Sequence, residues 1–88
     1  MLVITRKPNA KLQIGDNITV HLVNIQEGSV FLNILFSGGE VKYEVIGQDE
    51  EIEVTDEVKV RAALIEENRK VRLGITAPRD IRVRRIEE

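Results

Sequence analysis

Residues 17–36 read NITVHLVNIQEGSVFLNILF. Ile18, Val20 and Leu22 alternate with Thr19 and His21, the phase blurs at Val23, and Val30, Leu32 and Ile34 resume it beyond a turn signal at Glu27-Gly28. An extended strand points successive side chains to opposite faces, so this two-residue apolar period predicts strands buried on one side. The period continues through EVKYEVI, EIEVTDEVKV, RKVRLGI and DIRVRRI. Further turn-forming residues punctuate these runs: Pro8-Asn9, Gly15-Asp16, Ser37-Gly38-Gly39, Gly47-Gln48-Asp49, Glu67-Asn68 and Pro78-Arg79-Asp80. Only VKVRAALIEENRK carries enough good helix formers to suggest a helix. It runs on from an alternating strand pattern and is read as strand. The expected fold is all-β, two packed sheets of about nine short strands.

The whole chain bounds the rest. Its 88 residues suffice for one small domain, residues 1–88, with a modest core. Without cysteine there is no disulfide framework, thiolate metal site or cysteine nucleophile, and a cytoplasmic setting is expected. No apolar run approaches the roughly 18 residues that span a bilayer. MLVITRKPNA is apolar first and basic after, the reverse of a secretory signal. No membrane partner is therefore expected.

The net charge of −2 hides an asymmetry. Residues 69–88 hold seven of the thirteen Lys and Arg (Arg69, Lys70, Arg72, Arg79, Arg82, Arg84, Arg85) against three acids. The first 68 residues hold six basic and twelve acidic side chains. Local charge decides whether a surface attracts phosphate, so the C-terminal segment is a candidate anion-binding strand. A solvated strand edge that discourages aggregation is the plainer explanation on charge alone.

A shift of 40 residues lays Leu12 on Ile52, Ile14 on Val54, Asp16 on Asp56, Ile18 on Val58, Val20 on Val60, Ile25 on Ile65 and Glu27 on Glu67. After a one-residue difference, Val30, Leu32 and Ile34 fall on Val71, Leu73 and Ile75. Turns match in the same order as strands, which predicts an internal repeat, residues 11–47 and 51–88, preceded by a strand at 2–6.

Two segments carry a resemblance. MLVITRKPNAKLQIGDNITVHLVNI is similar to the opening of the carbon storage regulator (CsrA/RsmA) family, ML-[IV]-L-[ST]-R-[KR] followed by I-G-D and I-x-[IV]. VRLGITAPRDIRVRRI, residues 71–86, resembles the family's V-R-[IL]-G-[IV]-x-A-P-[KR]-[DE]-[VI]-x-V-x-R. The resemblance implies an RNA-binding protein that controls translation of messages by recognising GGA in a hairpin loop. It also implies two sites per dimer, each built from strand one of one chain and strand five of the other, with backbone groups reading base edges and arginines holding phosphates.

Only residues 2–6 carry the strand-one motif, and VKYEVIG reads as strand five of the first half. The resemblance then implies a dimer fused into one chain that has lost one outer strand, a monomer with one RNA site. One sheet is expected to hold residues 2–6, 70–76, 58–66, 51–55 and 40–46. The other is expected to hold 30–36, 18–26, 11–15 and 80–86, leaving 30–36 as an open edge through which homodimers remain conceivable. Carried over by motif, the RNA site comprises Ile4, Thr5, Arg6 and Lys7 from the first strand, the Ala77-Pro78 turn with Arg79, and Arg82, Arg84 and Arg85 from the last strand. Val45 and Glu44 would take the places of Arg85 and Arg84 in the first half and repel RNA. An antagonist protein is left open as a partner.

Other residues point to less. His21 has no second candidate ligand nearby, Asp16 and Asp56 sit in turn-forming contexts, and Phe31, Phe36 and Tyr43 make no base-stacking platform. No catalytic constellation, metal site or cofactor motif is visible. The alternative to RNA binding is a protein-interaction module that keeps the scaffold without the RNA affinity.

Overall fold

A computed structural model describes residues 1–86; positions 87 and 88, the end of the expected second repeat, lie outside the described residues. Its regular elements are strands: β1 (Leu2–Arg6), β2 (Lys11–Ile14), β3 (Ile18–Gln26), β4 (Ser29–Phe36), β5 (Val41–Gly47), β6 (Glu51–Glu53), β7 (Lys59–Ile65), β8 (Lys70–Thr76) and β9 (Val83–Ile86). They form a four-stranded antiparallel sheet, β1-β8-β7-β6, and a five-stranded one, β5-β4-β3-β2-β9. The helix-prone stretch around Ala62 and Ala63 lies in β7, because its alternate residues Val60 and Ala62 are wholly buried.

The alternation becomes the core directly. Val20, Leu22, Val30, Leu32 and Ile34 from the larger sheet join Val60, Ala62, Val71, Leu73 and Ile75 from the smaller one in a single buried cluster. No polar or charged residue is buried among the described residues, so the stabilising term is apolar burial between two sheet faces. The blurred phase at Val23 has a structural cause. The β3–β4 register slips between Leu22 and Asn24, a bulge that inserts one residue and flips the side chains after it.

The expected sheet order fails at one strand. Residues 40–46 do not lie beside 51–55; β5 folds back on β4, with Leu35 opposite Val41 and Ser29 opposite Gly47. The turn decides it. Gly39, at φ +98°, takes a left-handed conformation that glycine reaches at least cost, its N–H donates to Phe36 O at 2.9 Å, and Phe36 N–H donates to Glu40 O at 2.9 Å. That three-residue hairpin loop reverses the chain in place. At the corresponding point after β8, Ala77-Pro78 begins a longer crossing to the other sheet, and Pro78 has no N–H with which to close a hairpin. Residues 30–36 are therefore not an open edge.

The register reassigns β5. Leu2, Ile4 and Arg6 stand opposite Ile75, Leu73 and Val71; Lys42, Glu44 and Ile46 stand opposite Ile34, Leu32 and Val30. The following turns match as well, forty residues apart. Asn9 N–H donates to Leu22 O and Leu22 N–H to Ala10 O, as Asp49 N–H donates to Ala62 O and Ala62 N–H to Glu50 O. Asn9 and Asp49 both have positive φ, at 75° and 61°. Strand β5 thus corresponds to β1, and Val45 stands where Thr5 does rather than where Arg85 does. Among the described residues, β9 is the strand with no match of this kind.

Candidate nucleic-acid interface

The sandwich has two ends where sheet edges meet. β1 and β9 lie at one end, β5 and β6 at the other. An edge strand leaves half its backbone N–H and C=O groups unpaired, so each end offers hydrogen-bonding backbone as well as side chains.

Register decides which way the basic residues of the first end point. Arg6 is opposite Val71 and Arg85 opposite Leu12, both partners being core residues, so both arginines lie on the inward faces of their sheets. They stay wet because they occupy sheet edges: Arg6 is half-buried and Arg85 exposed. Arg6 Nη2 donates to Ile86 O at 3.3 Å and to Lys11 O at 3.4 Å, and Lys11 and Ile86 are themselves a β2–β9 pair. The guanidinium of the first strand therefore rests on the end of the last strand's ladder, one residue from Arg85. Its Nε is buried with no hydrogen-bond partner among the described residues.

Beside it opens a cleft of about 450 Å³ lined by Thr5, Arg6, Lys7, Ala10 and Lys70. Lys70 also pairs with Glu66 at 3.2 Å. A smaller recess of about 290 Å³ lies at the start of β9, lined by Gly15, Asp16, Asp80, Arg82 and Arg84. Two carboxylates among its lining offset the two arginines, whereas the larger cleft has no acid in its lining. Positive potential is therefore concentrated at Arg6 and Lys7 more than at Arg82 and Arg84, the charge of Lys70 being partly offset by Glu66.

The expected site residues divide accordingly. Thr5, Lys7, Arg79, Arg82, Arg84 and Arg85 are exposed, and Ala77 and Pro78 are half-buried in the crossing loop, with Pro78 O accepting from Ile81 N–H at 3.0 Å. Ile4 is only 7% exposed and belongs to the core opposite Leu73, so its side chain supports the site from beneath. Lys70 and Ala10 were not among the residues expected. The signal for Lys70 lies in its place just before Val71, the residue that pairs with Arg6.

The other end differs in chemistry. The positions matching Ile4 and Arg6 are Glu44 and Ile46, and four of the five residues 49–53 are acidic.

Residues 1–36 match the model of the CsrA global regulator protein family. The chain is 31% identical over 65 residues to the translational regulator CsrA of Helicobacter hepaticus, covering 67% of this chain and 82% of that protein. It is 50% identical over 34 residues to the translational regulator CsrA of Clostridium botulinum, covering 39% of this chain and 48% of the relative. No solved structure matches the chain.

Proposed function

Because the chain belongs to the CsrA global regulator protein family, we propose that it is a post-transcriptional regulator binding GGA-containing hairpins of messages at one site, between β1 and β9. The observation that carries this is the contact of Arg6 with Ile86 O: it joins the two motif-bearing strands, 80 positions apart, at one seam. In this role Arg85 holds a phosphate or base edge, the free backbone edges of β1 and β9 read the bases, and Lys7 and Lys70 hold the flanking phosphates. The long hydrogen bonds of Arg6 and its unpaired Nε let the guanidinium turn toward an acceptor on the RNA at little cost.

We infer that the chain is two copies of one unit, residues 1–40 and 41–86, sharing equivalent hairpins, with only the second copy keeping its last strand. The forty-residue match of strand registers, turn hydrogen bonds and positive φ angles supports this. A single chain then supplies both halves of a dimer-like sandwich, and a monomer in the cytoplasm is its functional form. The equivalent of the RNA seam at the other end has neither an arginine at the Arg6 position nor a basic last strand, and its acidic residues repel phosphate.

The test is a binding titration with a GGA hairpin and the same hairpin carrying CCA. The GGA hairpin is expected to bind at least tenfold more tightly. Equal, salt-sensitive binding of both would reduce the basic seam to a general polyanion surface.

A further inference from the structure

The two sheets differ by one strand, and the difference is concentrated at β6. In the larger sheet, β2 is flanked by β3 and β9; Leu12 pairs with Val20 on one side and Arg85 on the other and is 1% exposed. In the smaller sheet, Ile52 pairs with Val60 of β7, and among the described residues the sheet ends there. Ile52, the counterpart of Leu12, is left only partly buried against the core.

We propose that the free edge of β6 accepts an added antiparallel strand from a partner protein, an extended segment in which apolar and basic residues alternate. The β2–β9 ladder supplies the template. There, Val83 faces Ile14 and packs against the core, while Arg84 stands outward opposite Gln13. Transposed to β6, the incoming strand places an apolar side chain opposite Val54, a residue already 2% exposed, and a second beside Ile52. Its outward residue stands opposite Glu53.

Charge selects the occupant. Glu51 and Glu53 lie outward, each with a cation beside it on β7, Arg61 and Lys59 respectively. A basic residue on the other side of Glu53 continues an alternating ladder across the sheet, whereas an acidic one puts like charges directly opposite. Asp49 and Glu50, both exposed just before the strand, add to the acidic approach. Main-chain hydrogen bonds supply the generic attraction of strand addition, and the apolar-basic alternation supplies the selection. The proposal stands on the sheet edge alone and does not depend on RNA binding at the opposite seam.

The experiment follows amide and methyl signals of the isotope-labelled full chain while a synthetic peptide, RDIRVRIR, is added; it repeats residues 79–84 and then continues the alternation, so that its Val and second Ile meet Val54 and Ile52 and its last two Arg meet Glu53 and Glu51. Expected are saturable shifts at residues 51–54, with the Ile52 methyls among the largest, and at least a tenfold loss of affinity in Glu53→Lys. That variant should keep the parent spectrum and the parent affinity for the GGA hairpin. A scrambled peptide of equal charge, with the alternation destroyed, should bind at least tenfold more weakly. The proposal is overturned if the scrambled peptide binds equally well, if the shifts map to β2 and β9 through strand exchange, or if no saturable shift occurs. It is equally overturned if the edge amides of β6 are already protected in a self-associated form, since the occupant would then be a second copy of this chain.

Discussion

Arg6 Nη2 lies 3.3 Å from the carbonyl oxygen of Ile86, a contact between the edge strand of one sheet and the edge strand of the other. The same nitrogen reaches Lys11 O at 3.4 Å. Arg6 is thus a clasp between sheets as well as a candidate ligand for RNA, and Arg85, exposed nearby, is only the second of these.

The two arginines should therefore separate on mutation. Arg85→Ala should lower affinity for the GGA hairpin about tenfold to hundredfold, the equivalent of about 1.5–3 kcal/mol for a charge-assisted hydrogen bond, with thermal stability nearly unchanged. Arg6→Ala should lower affinity similarly and also cost about 0.5–1 kcal/mol of stability, its hydrogen bonds being long. Paired hairpin titrations and thermal melts check both. Equal stability losses would remove the distinction between clasp and ligand.

Ile4→Ala should act on folding first. A buried aliphatic residue cut to alanine costs about 2–5 kcal/mol, and denaturant titration should show a loss in that range. Ile4→Val should cost only about 0.5–1.5 kcal/mol and leave RNA affinity near the parent value. A large affinity loss in the well-folded valine variant would mean that the side chain touches RNA after all.

Gly15 holds the start of the last strand. Its φ is +62°, its N–H donates to Arg82 O at 2.7 Å, and an added Cβ would meet Ile81 Cγ2 at 3.4 Å. Gly15→Ala should destabilise the protein by about 1 kcal/mol or more, and RNA affinity should fall with it as β9 is displaced. A melt indistinguishable from the parent would show that the turn readily adopts another form.

Salt dependence assigns the basic cleft. Lys7→Ala and Lys70→Ala should each reduce the slope of log affinity against log salt by about 0.7, the contribution of one single-strand phosphate contact. Arg61→Ala, whose partner across the sheet is Glu51, should leave the slope unchanged. The comparison is made by repeating the titration from low to physiological salt.

Much of this was legible in the residues. Alternation through Ile18, Val20, Leu22 and Val30, Leu32, Ile34 predicts both strands and core, since burial on one face needs only the right period. Even the bulge at Val23 shows as a lost phase. The place of β5 was not legible from alternation, because Val41 to Gly47 can serve as an edge strand on either sheet. The discriminating signal is local: Ser37-Gly38-Gly39 closes a hairpin, whereas Ala77-Pro78 cannot. At the site, motif matching reaches Arg6 and Arg85 but does not separate Ile4 as a core residue. It also passes over Lys70, whose position depends on the pairing of β8 with β1 rather than on any neighbour in sequence.

The most direct test of a single seam between the first and last strands is the stoichiometry of hairpin binding to the whole chain, read by calorimetry at protein concentrations well above the dissociation constant. One GGA hairpin per chain is predicted, with Arg85→Ala weakening that binding about tenfold to hundredfold and no second event appearing. Two equivalent hairpins per chain, or one hairpin whose binding survives Arg85→Ala at full strength, would contradict it.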